Sequence, residues 1–131
     1  MDKELEKLKI EAEKSQANAY APYSDFKVGA ALLTPKGNIY SGCNVENGSY
    51  GLTVCAERNA IFDMVKNGEN KISKIVIIGE TDDYLSPCGA CRQVIAEFSD
   101  EDAEIYMFNR NRDYKKVTVG EIIPFVFKFK K

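Results

Sequence analysis

Three cysteines and one glutamate carry the clearest chemical signal in this chain of 131 residues, which has no histidine and only four cysteines. Cys55 lies two positions before Glu57, and Cys88 and Cys91 follow later in the chain with two residues between them. Zinc takes four tetrahedral ligands in proteins, and a catalytic site keeps one of these positions open for water. Three thiolates therefore predict a catalytic zinc site with one zinc ion per chain.

We expect these cysteines to lie at the starts of two helices. Thr53 is a suitable N-cap for the first helix, and Ser86 followed by Pro87 is suitable for opening the second. The partial positive charge at a helix N-terminus lowers thiol pKa values and favours the thiolate that a metal needs. Three thiolates leave the zinc site negatively charged, so we expect Arg58 to donate to a cysteine sulfur. An exposed arginine on the helix surface is the alternative.

Glu57 is the predicted proton shuttle, because a carboxylate two positions after a ligand can reach the open zinc position without binding the metal. Bound zinc lowers the pKa of water from about 15.7 to about 7, and a nearby carboxylate can take that proton and return it. The alternative is an ordinary surface glutamate near a helix start. The position of Glu57 beside Cys55 argues against that alternative.

Two other uses of the cysteines remain open. A structural zinc site would need a fourth ligand, which Cys43 could supply, but the segment Ile39 to Val45 is predicted to be a strand, where cysteine is most often a small buried hydrophobe. Disulfide bonds are the other alternative. The N-terminus is charged from Asp2 to Lys7, which is not typical of a signal peptide. We therefore expect a reduced, cytoplasmic protein.

Apolar periodicity and turn residues predict the elements that position these side chains. They indicate helices at 3–19, 53–67 and 87–98, an antiparallel hairpin of strands at 26–33 and 39–45, a buried central strand at 75–78 and a further strand at 104–108. The next connection, 109–113, is too short for a parallel crossover, which needs roughly a dozen residues or more. The last two strands should therefore be antiparallel. Thr118 to Glu121 fits a capping box for a short helix that ends before Pro124.

Composition limits the class of protein. A chain of 131 residues with 44% hydrophobic content can bury one core but not two, so we expect a single domain at 1–131. The sequence has no apolar run long enough to span a membrane. Its net charge of −2 opposes a non-specific grip on nucleic acid, which requires clustered Lys and Arg. We therefore expect neither a membrane nor a nucleic acid as partner.

The motifs resemble those of the small cytidine deaminases that act on free nucleosides. The resemblance rests on Cys-Ala-Glu-Arg at 55–58 and Pro-Cys-Gly-Ala-Cys-Arg-Gln at 87–93, and it extends to 20–33 and 42–47. It implies a three-layer α/β/α fold with a five-stranded mixed sheet, helices on both faces and an antiparallel last strand pair. It also implies hydrolysis of cytidine and deoxycytidine to uridine and deoxyuridine plus ammonia, in pyrimidine salvage.

The same resemblance implies several substrate contacts. Asn44 and Glu46 would hold the ribose, since an amide and a carboxylate can bind sugar hydroxyls. Phe26 would stack on the base, and the backbone of Ala56 would bind the pyrimidine carbonyl or amine. On the residues alone, Asn44 and Glu46 also suit a turn, and Phe26 suits a core-facing position at the start of a strand.

Tyr50 and Phe127 resemble positions through which neighbouring subunits complete one another's pockets in this family. The resemblance therefore implies a homotetramer with shared active sites. The aromatic tail from Phe125 to Lys131 also fits an ordinary edge strand, which is the alternative. Phe125 competes with Phe127 for the position at the neighbouring site.

Three other functions stay open. A deaminase of a modified cytosine nucleoside, such as blasticidin S, has similar zinc motifs but is disfavoured by the complete loop Asn44 to Asn47. A polynucleotide cytosine deaminase is opposed by the acidity of the chain and its short last connection. A non-enzymatic zinc scaffold would use Cys43 as the fourth ligand.

Overall fold

A computed structural model describes residues 1–130, and Lys131, the last residue of the predicted aromatic tail, lies outside them. The elements follow one another as α1 (Lys3–Ala17), β1 (Val28–Leu33), β2 (Ile39–Cys43), a short 3₁₀ helix (Tyr50–Leu52), α2 (Ala56–Lys66), β3 (Ile72–Gly79), α3 (Gly89–Glu97), β4 (Ser99–Phe108), β5 (Tyr114–Thr118) and α4 (Val119–Ile122). This order agrees with the one predicted from the sequence.

The five strands form one mixed sheet in the order β2-β1-β3-β4-β5. β1 runs antiparallel to both β2 and β3, β3 runs parallel to β4, and β4 runs antiparallel to β5. The last pair is joined by a tight turn in which the N–H of Asn109 donates to the carbonyl of Asp113 over 2.9 Å. The predicted hairpin, the central position of β3 and the antiparallel last pair are all confirmed.

Helices cover both faces of this sheet, which confirms the three-layer arrangement. α2, α3 and α4 pack on one face, and α1 packs on the other. The alternation of side chains along a strand divides β1 between the two cores. Ala30 and Leu32 belong to the core under α2, whereas Ala31 and Leu33 belong to the core under α1.

The backbone of α2 lies directly against β2, and a glycine permits this contact. A Cβ atom at Gly42 would lie 2.4 Å from the backbone nitrogen of Ala60 and 2.8 Å from the carbonyl of Ala56. A side chain at position 42 would therefore push α2 away from the sheet. Since the first turn of α2 carries three of the predicted site residues, Ala56, Glu57 and Arg58, Gly42 helps to fix the position of the site.

The starts of the two site helices differ from the prediction. The N-cap of α2 is Cys55 instead of Thr53, and the N-cap of α3 is Cys88, so that Ser86 and Pro87 precede the helix. Val54 forms a two-way backbone bridge with Val45, which keeps the chain extended up to Cys55. A proline also favours an extended residue before it.

Other boundaries differ by a few residues. α1 ends at Ala17 instead of 19, and β2 ends at Cys43 instead of 45, whereas β3 and β4 both begin earlier than predicted. The capping box of α4 is present as predicted, with the Thr118 hydroxyl accepting from the Glu121 N–H and the Glu121 carboxylate accepting from the Thr118 N–H. Within residues 1–130, no helix has both the length and the apolar character needed to cross a bilayer.

Candidate metal centre and adjoining pocket

The two helix starts bring three cysteines together. Cys55 and Cys88 are the N-caps of α2 and α3, and Cys91 lies on the first turn of α3. All three sulfur atoms lie within 4.8 Å of one another, and those of Cys55 and Cys88 are 4.0 Å apart. Two sulfurs bound to one tetrahedral zinc at about 2.3 Å lie roughly 3.8 Å apart. The cluster therefore fits a zinc ion with only a small adjustment.

Cys43 does not belong to this cluster. It ends β2 and is half-buried, and burial raises the pKa of its thiol. Within the part of the chain that the structure describes, Cys55, Cys88 and Cys91 are the only group of three or more such side chains close enough to share a metal. The four cysteines therefore do not form a structural zinc site. A zinc ion bound by the three clustered cysteines would keep its fourth coordination position for another ligand.

The cluster has a strong preference for a cation. The thiol of Cys91, as a hydrogen-bond donor, and the guanidinium of Arg58 lower the pKa of the Cys55 thiol to about 5. The same hydrogen bond to Cys55, together with burial, raises the pKa of Cys91. A metal ion takes thiolates as ligands, and the lowered pKa of Cys55 favours the thiolate at that position.

Arg58 donates to the cluster as the sequence suggested it could. Its Nη2 lies 3.5 Å from the sulfur of Cys55, one turn earlier on the helix. Its Nε atom is buried and has no hydrogen-bond partner among residues 1–130. The negative sulfurs raise the pKa of the guanidinium still further, so Arg58 supplies a permanent positive charge beside the thiolates.

Glu57 lies under the pocket on the first turn of α2, and its side chain is only 5% exposed. Burial raises the pKa of the carboxyl group to about 7, and the nearby thiolate of Cys55 contributes in the same direction. A group with a pKa near the working pH is well suited to accept and return a proton. The burial of Glu57 excludes the ordinary surface glutamate that the sequence left as an alternative.

A pocket of about 230 Å³ opens above the cluster. Its polar walls are formed by Ser24, Asn44, Glu46, Thr53, Cys55, Glu57, Ser86 and Cys88, and its other walls by Phe26, Val28, Ala56, Ile77 and Leu85. The pocket thus brings Phe26, Asn44, Glu46 and Ala56 to the same cavity as Glu57 and two of the cysteines. No lysine or arginine of the described chain lines it.

Asn44 and Glu46 line the pocket and also brace the loop opposite. The Asn44 side chain accepts from the N–H of Val28 and donates to the carbonyl of Phe26, each over 2.8 Å. The Glu46 carboxylate accepts hydrogen bonds from Tyr23 and Ser24. Both side chains therefore hold the segment 20–28 against the pocket. The sequence alternative was that they only form a local turn, and these contacts reach well beyond such a turn.

Tyr50 and Phe127 do not reach the pocket of their own chain. Tyr50 is 75% exposed, and its ring packs edge-on against Tyr23 with 5.9 Å between the ring centroids. Phe127 is 70% exposed, and its carbonyl accepts from the side chain of Gln93 over 3.1 Å. Phe125 is fully exposed. These aromatic rings face outward.

Sequence reasoning missed Ser24 and Leu85 as pocket residues and treated Thr53 and Ser86 only as helix caps. All four line the cavity. The one available signal was that Ser24 lies within the segment that resembled a known family. Its contact with Glu46 joins residues far apart in sequence, so no local pattern could reveal it.

Comparison with known proteins agrees with this geometry. The family described as the cytidine and deoxycytidylate deaminase zinc-binding region matches residues 2–107, which include all three cysteines of the cluster. The match confirms the prediction of one zinc ion per chain.

Two relatives and two solved structures are similar over almost their whole length. The cytidine deaminase of Sporosarcina psychrophila is 45% identical over 124 residues, which are 95% of this chain and 91% of the relative. That of Halalkalibacterium halodurans is 43% identical over 127 residues, 97% of this chain and 95% of the relative. The crystal structure of cytidine deaminase from Burkholderia pseudomallei has a TM-score of 0.90 at 42% identity and covers 97% of this chain and 100% of that one. The crystal structure of cytidine deaminase from Mycobacterium tuberculosis has a TM-score of 0.85 at 35% identity and covers 98% of this chain and 100% of that one.

Proposed function

We infer that this chain, which belongs to the cytidine and deoxycytidylate deaminase family, is a zinc-dependent hydrolase that converts cytidine to uridine and ammonia. The observation that carries the activity most directly is the buried carboxyl group of Glu57, which shares a pocket with the cysteine cluster. We also propose that residues 1–131 act as one catalytic domain, since α1 to α4 all pack on a single sheet.

The substrate we propose is an uncharged nucleoside, cytidine or deoxycytidine, in preference to the nucleotide deoxycytidylate. A phosphate group carries up to two negative charges and needs cationic or N–H partners. The lining of the pocket offers no lysine or arginine among residues 1–130, and it includes the carboxylate of Glu46. A phosphate near Glu46 would meet like charge instead of a partner, whereas a ribose hydroxyl can donate to that carboxylate.

Cys55, Cys88 and Cys91 would hold the zinc ion, and Arg58 would offset part of their negative charge. When bound, the ion lowers the pKa of water and so supplies a nucleophile near neutral pH. Glu57 would accept one proton from the attacking water, whose oxygen forms a bond to C4 of the cytosine ring, and would give this proton to N3. Glu57 then carries the second proton of the former water to the amino group, which leaves C4 as ammonia while the C4 carbonyl of uridine forms.

The other pocket residues bind and orient the substrate in this proposal. Phe26 stacks on the pyrimidine, and Asn44 and Glu46 bind the ribose. Ala56 is the first residue of α2, so its N–H has no partner inside the helix and is available to a group on the base. Because these residues come from different elements, the fold positions the base over Glu57 from several sides.

We propose a homotetramer in which Tyr50 and Phe127 of one chain complete the pocket of another. The exposed aromatic rings support this proposal, because four large aromatic side chains among residues 1–130 are at least 70% exposed: Tyr50, Phe125, Phe127 and Phe129. Light scattering at micromolar concentration should give the mass of four chains. A monomer with full activity would refute the shared sites.

We also propose that the enzyme works in the cytoplasm, in pyrimidine salvage. All four cysteines are free thiols in the structure. A reducing compartment would keep the three clustered thiols available to zinc, whereas an oxidising one would favour disulfides. Salvage is the role that fits a free nucleoside as substrate.

The first test is the loss of ultraviolet absorbance of cytidine on protein whose zinc content has been measured. Blasticidin S, free cytosine and a cytosine-containing oligonucleotide serve as comparison substrates. We expect turnover of cytidine without turnover of cytosine, at about one zinc per chain. No turnover of cytidine by zinc-loaded protein would refute the function, and turnover of blasticidin S instead would indicate a modified nucleoside.

A further inference from the structure

Ser24 holds the carboxylate of Glu46 through both its backbone and its side chain. The N–H groups of Tyr23 and Ser24 donate to Oε1 of Glu46 over 3.0 and 3.2 Å, and the Ser24 hydroxyl donates to Oε2. The same hydroxyl oxygen accepts a hydrogen bond of 3.1 Å from the N–H of Phe26. One oxygen atom therefore links the residue that would stack on the base to the residue that would bind the ribose.

These contacts leave Glu46 with one acceptor position. An ionised carboxylate offers about four such positions. The two N–H groups occupy both positions on Oε1, and the Ser24 hydroxyl occupies one of the two on Oε2. Since Ser24 and Glu46 both line the pocket, a hydroxyl group of a bound substrate can take the fourth position. Rotation of the carboxylate away from this arrangement would break its three existing hydrogen bonds.

We propose that Ser24 is a positioning residue for ribose recognition, which holds Glu46 so that its remaining acceptor position meets one hydroxyl of the nucleoside. This role rests on the proposed function, because it requires a nucleoside in the pocket. Ser24 has a simpler possible role, in which its hydroxyl only shapes the loop through the N–H of Phe26. Asp25 between them has a φ of 56°, so the loop does need local support.

Substrate discrimination separates the two roles. The substrates are cytidine and two analogues. 2′,3′-Dideoxycytidine lacks the 2′- and 3′-hydroxyls of the ribose, and 5′-deoxycytidine lacks the 5′-hydroxyl. For cytidine, Ser24→Ala should raise KM about tenfold, as expected when a hydrogen bond to a charged group is lost. The kcat of Ser24→Ala should stay within about twofold of the wild-type value, because the lost contact stabilises the bound substrate and the transition state equally. The penalty should be absent for the one analogue that lacks the hydroxyl bound by Glu46. Ser24→Thr, which keeps the hydroxyl, should restore the wild-type KM.

The double variant Ser24→Ala with Glu46→Gln should have the same KM as Glu46→Gln alone, because Ser24 acts through Glu46. Ser73→Ala, in β3 and away from the pocket, is the matched control. Thermal unfolding and zinc content show that each variant is folded. Equal penalties on all three nucleosides, or additive effects in the double variant, would overturn the role of Ser24 while wild-type turnover of cytidine stands. Absence of that turnover would overturn the proposed function as well.

Discussion

The ring of Phe26 occupies the space that a side chain at Gly79 would fill. A Cβ atom at Gly79 would lie 3.0 Å from Cζ of Phe26, and 2.7 Å from Cδ2 of Leu85. Gly79 is the last residue of β3, and both of these neighbours line the pocket. The absence of a side chain at the end of β3 therefore lets two residues of the pocket wall pack closely against this strand.

Gly79→Ala should reduce the activity by moving Phe26 and Leu85. Overpacking of this kind typically costs about 1–3 kcal/mol in the free energy of unfolding. We also expect kcat/KM for cytidine to fall about tenfold, because misplacing a bound substrate by about 1 Å can cost up to about 10²-fold. Steady-state kinetics and thermal unfolding would measure both effects. Gly120→Ala in α4 is the control, because its Cβ would be 3.4 Å from the nearest atom, an ordinary contact. Unchanged kinetics in Gly79→Ala would show that the Phe26 wall does not matter.

Glu57→Gln should keep the zinc and lose turnover. The amide has nearly the same size as the carboxyl group but cannot accept and return a proton, so we expect kcat to fall more than about 10²-fold, the low end for general acid–base catalysis. Single-turnover kinetics and metal analysis on the same sample provide the measurement. Asp63→Asn, at a half-buried position near the other end of the same helix and outside the pocket, should retain normal kinetics. Near-normal turnover in zinc-loaded Glu57→Gln would contradict the proton-shuttle role.

Two cysteine variants should separate a three-ligand site from a four-ligand one. Cys88→Ser removes a cluster sulfur, so the zinc content and the activity should both be lost. Cys43→Ser should retain about one zinc per chain, because Cys43 lies outside the cluster. Metal analysis after dialysis would measure the difference. Loss of zinc from Cys43→Ser protein that is still folded by circular dichroism would indicate that Cys43 is a ligand.

The pairing of Glu80 with Arg112 should stabilise the fold at neutral pH but not in acid. Oε1 of Glu80 accepts from Arg112 Nη2 over 2.9 Å and from Gln16 Nε2 over 3.1 Å, and these contacts hold the pKa of Glu80 below its usual value of 4.5. A carboxyl group with a lowered folded-state pKa contributes stability above its unfolded-state pKa, and this contribution is lost as the pH falls through the folded-state value. Glu80→Gln should therefore lower Tm at pH 7, and the deficit should shrink as the pH falls below about 4.5.

Matched thermal unfolding curves of wild type and Glu80→Gln between pH 7 and about pH 3 would test this expectation, because this range extends below the unfolded-state pKa. Asp82→Asn is the control, because it removes an ion pair to Arg110 in which the Asp82 side chain is 89% exposed. Such exposed ion pairs contribute little to the free energy of unfolding, so Asp82→Asn should have the same Tm as the wild type at every pH. A Glu80→Gln deficit that grew in acid would contradict the sign of the pKa shift.

The sheet was predictable because its signals are local in the sequence. The short connection 109–113 excludes a parallel crossover, and the apolar run Ile75 to Ile78 identifies the buried central strand, whichever residues pack against it later. The helix starts were not predictable in this way. Thr53 is a better cap than Cys55 by propensity, but the bridge between Val45 and Val54 keeps the chain extended past it.

In the candidate site, too, some features follow from local sequence signals and others depend on the fold. Cys55, Cys88 and Cys91 could be grouped from type and spacing, because zinc limits the ligands that can satisfy it. The hydrogen bonds of Asn44 and Glu46 to the segment 20–28 could not be predicted, since they depend on how two distant loops meet. Residue identity thus gave the chemistry of the site, whereas the precise support of its walls required the fold.

The contact between α2 and β2 at Gly42 has a consequence for anyone who wishes to redesign the substrate range. Because a Cβ there would run into the backbone of Ala60, position 42 cannot carry a side chain unless α2, with the site residues on its first turn, moves away from the sheet. Leu85 lines the pocket itself, ends in methyl groups and can be shortened. We expect libraries directed at Leu85 to yield folded enzymes that accept bulkier bases, while libraries directed at Gly42 should yield mostly unfolded protein.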